Sequence, residues 1–152
     1  MTTILTEIFS HDTVKIVHYL ISVSFLFFAV LLVVRSVRGI SKRVPYKAFD
    51  KFLAVAFIVA LYLQLILGLF LFTNLGTGLD FHYMPNEGSD MVSKRLWPVE
   101  HIVLMLFALF IANLGLIFSF QTRESQSRFK KILIYYTIAI ALIAFSLISV
   151  YA

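Results

Sequence analysis

The sequence contains no cysteine and few charged residues, and each shortage narrows the classes of protein to which it can belong. Without cysteine there are no disulfides, no thiol redox chemistry and no cysteine-ligated metals, which excludes iron–sulfur clusters. Charged residues make up 14% and hydrophobic residues 61% of the 152 residues, whereas soluble domains average about 25% and about 45–50%. A soluble core of this size cannot hide so much apolar surface, so the composition predicts a protein that lies in a lipid bilayer.

Several catalytic and binding signatures are also missing from the sequence. We find no Gly-rich phosphate loop, no Ser/His/Asp arrangement, no internal repeat and no soluble segment large enough to form a separate domain. The net charge of +5 does not indicate nucleic-acid binding, because most basic residues fall in two short loops between apolar runs. These features favour a redox or accessory subunit over a stand-alone enzyme.

Four apolar runs dominate the sequence, and each is close to the ~20 residues that cross a bilayer as a helix. They are residues 16–34, 52–73, 102–120 and 132–151. The first run is not expected to be a cleaved signal peptide, because residues 1–13 carry two acids and no Lys or Arg. The fold class predicted for residues 1–152 is therefore a single all-α transmembrane domain, an integral membrane four-helix up-and-down bundle.

The distribution of basic residues predicts the orientation of this bundle. Ten of the 13 Lys and Arg residues lie in the two loops that follow the first and third runs. They are Arg35, Arg38, Lys42, Arg43, Lys47, Lys51, Arg123, Arg128, Lys130 and Lys131. The positive-inside rule places both loops in the cytoplasm, so both termini are expected on the outer side of the membrane.

Two histidines, His18 and His101, head the first and third runs, which both lead from the outer side inwards. They are expected at nearly the same depth, on helices that are diagonal neighbours in a four-helix bundle. Two imidazoles that face each other across a bundle core can ligate a haem iron from both sides. The pair therefore predicts one haem b near the outer surface, with His18 and His101 as the metal ligands.

Three further residues complete the predicted cofactor site. Gly68 lies at the same depth on the second run and would leave space for a flat macrocycle. Lys15 and Arg95 lie close to the two helix N-termini, where cations suit haem propionates. On the third run the small residues Ala108, Ala112 and Gly115 share one face with His101, as expected for a cofactor slot or for close helix packing.

Other interpretations of these residues stay open at this stage. Each histidine could instead face the hydrated headgroups, since both lie near the membrane edge. Glu100, next to His101, suits a proton carrier at a quinol site or simply an acid in the first helical turn. A copper or zinc site built from histidines and methionines is a third hypothesis. Its residues would be His11, His18, His82 and His101 with Met84 or Met91.

The sequence resembles short bacterial four-helix membrane proteins that are catalogued as cytochrome b-like. The resemblance covers most of the chain and rests on the histidine of the first run and on three motifs. These are LQLILGLFLF at Leu63–Phe72, VEHIVLM at Val99–Met105 and KKILIYYTIAIALI from Lys130. The family often carries another histidine just before the LQL motif, where this chain has Tyr62.

The resemblance implies a multi-pass protein of the bacterial inner membrane with both termini in the periplasm. Together with the histidine pair, it predicts a haem b subunit that transfers electrons between a quinol and an outer redox partner. Such a subunit would be surrounded by membrane lipids and by other membrane subunits, as in a respiratory complex. The alternative is an accessory subunit without a cofactor, in which the histidines only form hydrogen bonds within the bundle.

Overall fold

The computed structural model describes the backbone of residues 11–78 and 89–148, and the side chains of residues 13–72 and 99–148. These residues form four α-helices: α1 (His11–Ser41), α2 (Ala48–Gly78), α3 (Ser89–Gln121) and α4 (Ser125–Ile148). No strand occurs among the described residues. The predicted all-α four-helix bundle is therefore confirmed.

Each helix is long and apolar enough to cross a membrane. The segments that meet this requirement are Thr13–Ser41, Ala48–Phe72, Val99–Gln121 and Ser125–Ile148. The helices extend beyond the apolar runs of the sequence, and α4 begins at Ser125, well before the fourth run. Lys, Arg and Gln are good helix formers, so helical hydrogen bonding continues into the charged flanks. The protein is a multi-pass membrane protein.

The four helices pack in a ring in which each helix contacts the next along the chain. The α1/α2, α2/α3, α3/α4 and α1/α4 pairs form the interfaces, which makes α1 and α3 diagonal neighbours. Short loops at residues 42–47 and 122–124 join two of these pairs at one end, which we name the basic end. We name the opposite end, where α1 starts and α4 stops, the histidine end.

Local hydrogen bonds fix both turns at the basic end. Arg43 adopts a left-handed φ of 50° just after α1, and Val44 N–H donates to the Gly39 carbonyl at 3.1 Å. This is the pattern that commonly satisfies the last carbonyls of a helix. At the other turn, Lys131 Nζ donates to Thr122 Oγ1 at 2.7 Å. This hydrogen bond joins α4 to the residue that follows the end of α3.

Aromatic side chains fill the middle of the bundle. Phe57 of α2 is fully buried between Phe25 of α1 and Tyr136 of α4, with ring centroids 4.7 Å from each. The Tyr136 hydroxyl donates to the Ala54 carbonyl at 3.0 Å. This aromatic layer is a reference level from which depth along the helices can be counted.

The small residues of α3 lie on its buried face. Ala108 and Ala112 are fully buried. A Cβ built on Gly115 would lie 2.5 Å from Tyr135 Cβ, far inside van der Waals contact. At Gly115, therefore, α3 and α4 are in close contact, as small residues permit in membranes.

Candidate functional site

The main-chain carbonyl of His18 is the centre of a polar network between α1 and α2. Ser22 Oγ donates to this oxygen at 2.8 Å, and Gln64 Nε2 donates to it at 3.2 Å. Gln64 Nε2 also donates to Ser22 Oγ at 2.5 Å. The amide orientation follows from this network, because only the NH₂ group can donate to two acceptors at once.

Two polar atoms of the same network are buried without a hydrogen bond among the described residues. They are Nδ1 of His18 and Oε1 of Gln64. Gln64 is 5% exposed, so neither water nor lipid headgroup reaches most of its side chain. Buried polar atoms in native structures are nearly always paired, which makes these two atoms the natural contacts of a bound group.

His101 is held by a residue of α4. Its Nδ1 lies 2.7 Å from Oγ of Ser146, and Ser146 is fully buried. A hydrogen bond on one ring nitrogen fixes the orientation of an imidazole. The α3/α4 contact therefore positions the His101 ring.

His18 and His101 lie towards the same end of the bundle, on helices that are diagonal neighbours. Both residues are half-buried. Their levels differ slightly. Depth can be counted from the aromatic layer at 1.5 Å per residue along each helix. On this count His18 lies about 10 Å from the layer towards the histidine end, and Ser146, the partner of His101, lies about 15 Å from it in the same direction.

Gly68 of α2 lies next to the imidazole of His18. A Cβ built on Gly68 would sit 3.7 Å from His18 Cε1, which is an ordinary van der Waals distance. The space beside this glycine is therefore bordered by the histidine ring, and an alanine would fit there. The side chain of Lys15 is exposed one turn before His18, and the side chain of Arg95 lies outside the described residues.

The remaining sequence candidates divide into two groups. Glu100 is exposed beside His101. The histidines and methionines proposed for a copper or zinc site, apart from His18 and His101, lie outside the described side chains. Within residues 13–72 and 99–148, no three His, Cys, Asp or Glu side chains group as metal ligands.

Sequence reasoning missed the specific roles of Ser22, Gln64 and Ser146. In the sequence these residues are recognisable only as polar residues within apolar runs. That pattern does not predict which residue of another helix each of them contacts. Gln64 stands out because an amide in the middle of a membrane helix needs hydrogen bonds within the protein. The two serines carry no comparable signal.

We compared the chain with protein-family models, curated proteins and solved structures, and none of them matches.

Proposed function

We propose that the protein is a membrane subunit that binds one haem b between His18 and His101. The observation that carries this proposal is that two half-buried histidines lie on diagonal helices towards the same end of the bundle. Two imidazoles are a donor set that suits haem iron, and a bound haem b supplies a one-electron Fe(III)/Fe(II) couple. The residues present therefore fit the cofactor in their chemistry.

Two details of the structure support metal binding by these histidines. Ser146 fixes the His101 ring through Nδ1, the arrangement that orients metal-binding histidines in many proteins. His18 Nδ1 is buried and has no hydrogen bond among the described residues, so a bound group would give this ring a polar contact. Lys15, exposed one turn away, is available to a propionate.

We further propose that the chain is one of the bacterial four-helix membrane proteins catalogued as cytochrome b-like. In this proposal the basic end faces the cytoplasm and both termini lie in the periplasm. The concentration of basic residues around the loops at residues 42–47 and 122–124 supports that orientation. His18 and His101 would then hold the haem towards the periplasm, where it would supply a one-electron couple between a quinol and an outer redox partner in a larger complex.

The decisive experiment is a reduced-minus-oxidised absorption spectrum of the purified protein, produced with ample haem supply. We expect a b-type spectrum that is lost in His18→Ala and in His101→Ala while circular dichroism stays helical. His11→Ala and His82→Ala are matched controls and should keep the spectrum. A wild-type protein without haem absorbance, or alanine variants at both ligands that retain it, would contradict the proposal.

The second candidate function is an accessory subunit without a cofactor. The position of the His18 ring beside Gly68 and the hydrogen bond between His101 and Ser146 favour it, because both rings then serve bundle packing. In that case the two alanine variants lower stability, and neither wild type nor variants show a haem spectrum. Elemental analysis of the same samples tests for copper and zinc.

A further inference from the structure

Tyr62 and Asn113 form a polar pair on the outer surface of the bundle. Asn113 Nδ2 donates to the Tyr62 hydroxyl at 3.3 Å and to the Leu109 carbonyl at 2.8 Å. Tyr62 is 45% exposed. Counted along α2 and α3, both residues lie within about 5 Å of the middle of their spans, the most apolar depth of a bilayer.

The pair has one donor and one acceptor left over. Within the described residues, neither the Tyr62 O–H proton nor Asn113 Oδ1 is used in a hydrogen bond. Lipid chains offer no partner for either group, so the arrangement is unfavourable for an isolated bundle. An exposed hydroxyl on a membrane helix is usually satisfied within its own helix. Ser24 on α1 is an example, because its hydroxyl donates to the Leu20 carbonyl.

The surface around the pair has the spacing of a helix–helix seam. On α2 the exposed residues follow an alternating three-and-four pattern: Val59, Tyr62, Ile66 and Leu69. On α3 the same kind of pattern surrounds Asn113 with exposed side chains: Leu106, Phe110 and Ile117. This spacing lines up one face of a helix for packing, and a single polar residue within such a seam sets register and oligomeric state.

We propose that the α2/α3 surface binds a second copy of this chain. Two copies inserted with the same topology are related by a two-fold axis along the membrane normal, which preserves depth. Tyr62 of one copy then meets Asn113 of the other, because the two residues already lie at one depth within a single chain. Each Tyr62 hydroxyl donates to Asn113 Oδ1 of the second copy, and the two reciprocal bonds satisfy every leftover group. This dimer does not depend on the proposed haem.

The chain is suited to a cross-linking test because it contains no cysteine. Single cysteines are introduced on the seam, as Ile66→Cys and Phe110→Cys. Matched controls are Phe27→Cys on α1 and Phe145→Cys on α4, which replace similarly exposed residues. Oxidation in lipid vesicles should give a covalent dimer from the seam positions and little from the controls. Equal cross-linking from all four cysteine positions would overturn the proposal.

A second measurement tests the hydrogen bonds themselves. Energy transfer between two labelled populations in vesicles gives the dimer fraction as the protein-to-lipid ratio is lowered. Tyr62→Phe removes both reciprocal bonds and should raise the dissociation constant roughly ten-fold, the order expected for two hydrogen bonds in a membrane. Ser24→Ala is the control and should change nothing.

Three results would refute a dimer of identical chains. One is an absence of energy transfer at every dilution, and another is a Tyr62→Phe variant that dimerises like wild type. The third is a seam cysteine that cross-links in native membranes only to a different protein. Circular dichroism and the elution volume of each variant confirm that the bundle is folded.

Discussion

Arg35 of α1 binds the carboxylate of Asp50 on α2 through two hydrogen bonds at the basic end. Arg35 Nε lies 2.5 Å from Oδ1, and Nη2 lies 3.2 Å from Oδ2. Asp50 also accepts the Lys47 N–H at 2.8 Å, so the same side chain caps the start of α2. The Asp50 side chain is 2% exposed, whereas that of Arg35 is 24% exposed. One carboxylate thus fixes the turn and the contact between the first two helices.

We expect Asp50→Ala to lower the free energy of unfolding by about 2–3 kcal/mol. Removing one partner of a buried pair is costly because the other charge loses its counter-charge. Arg35 keeps part of its hydration, which reduces the loss of stability. Loss of the hydrogen bond that caps α2 adds about 1 kcal/mol. Reversible unfolding in mixed detergent micelles measures the change.

The exposed acid Glu124, at the other turn of the basic end, provides the control for Asp50. Glu124→Ala should cost less than about 1 kcal/mol, because exposed polar contacts contribute little. The double variant Arg35→Leu with Asp50→Leu should lose less than the two single changes together. Additive losses would show that the pair does not act as a unit.

Two glycines in the same bundle are predicted to respond differently to alanine. Gly115→Ala places a methyl group 2.5 Å from Tyr135 Cβ, so α3 and α4 must separate, at a cost of about 1–3 kcal/mol. Gly68→Ala meets only His18 Cε1 at 3.7 Å and should be tolerated. Thermal unfolding of the two variants is the comparison, and an equal loss for both would contradict the assigned helix contacts.

The sequence predicts the four helices well because the length of an apolar run and a bilayer's thickness are physically linked. It predicts buried faces poorly, because lipid-facing and core-facing positions are both apolar. Phe57 is fully buried and Phe27 is 65% exposed, yet nothing in the residue type separates them. In a soluble bundle the polar face would reveal the rotation of each helix about its axis.

The candidate site, too, could be predicted from the sequence only in part. His18 and His101 could be found from sequence because an ionisable residue in an apolar run is rare. Ser146 as the partner of His101, and Gln64 as a donor to the His18 carbonyl, depend on which faces of the helices meet. Asp50 and Arg35 are likewise ordinary loop-flanking charges in the sequence, and only tertiary packing pairs them.

Tyr46 and Tyr136 differ in what their hydroxyls contact, and this predicts different effects of phenylalanine. Tyr136→Phe removes the hydrogen bond to the Ala54 carbonyl in the core and should cost about 1 kcal/mol at neutral pH. The Tyr46 hydroxyl is buried, and it makes no hydrogen bond among the described residues. Tyr46→Phe should therefore leave stability at pH 7 nearly unchanged.

Alkaline pH should reveal the environment of Tyr46, which lies in the loop between α1 and α2. Burial raises the pKa of the Tyr46 phenol above its ordinary value. The folded state then retains a proton that the unfolded state loses near pH 10, so stability falls as pH rises beyond about 10. Tyr46→Phe removes this contribution and should show a shallower fall in unfolding free energy over that range. An identical pH profile in wild type and variant would contradict the assignment.

Ser146→Ala separates the role of His101 as a ligand from its role in packing. The substitution removes the hydrogen bond to Nδ1, at a stability cost of about 1 kcal/mol. If His101 ligates haem, loss of this contact should weaken haem retention about ten-fold or more, the usual effect of removing a partner that orients a metal ligand. Haem transfer to apomyoglobin measures retention, and Ser24→Ala, which removes an exposed hydroxyl bonded to its own helix, is the control. Equal retention in both variants, together with the lower stability of Ser146→Ala, would mean that His101 packs against α4 without ligating haem.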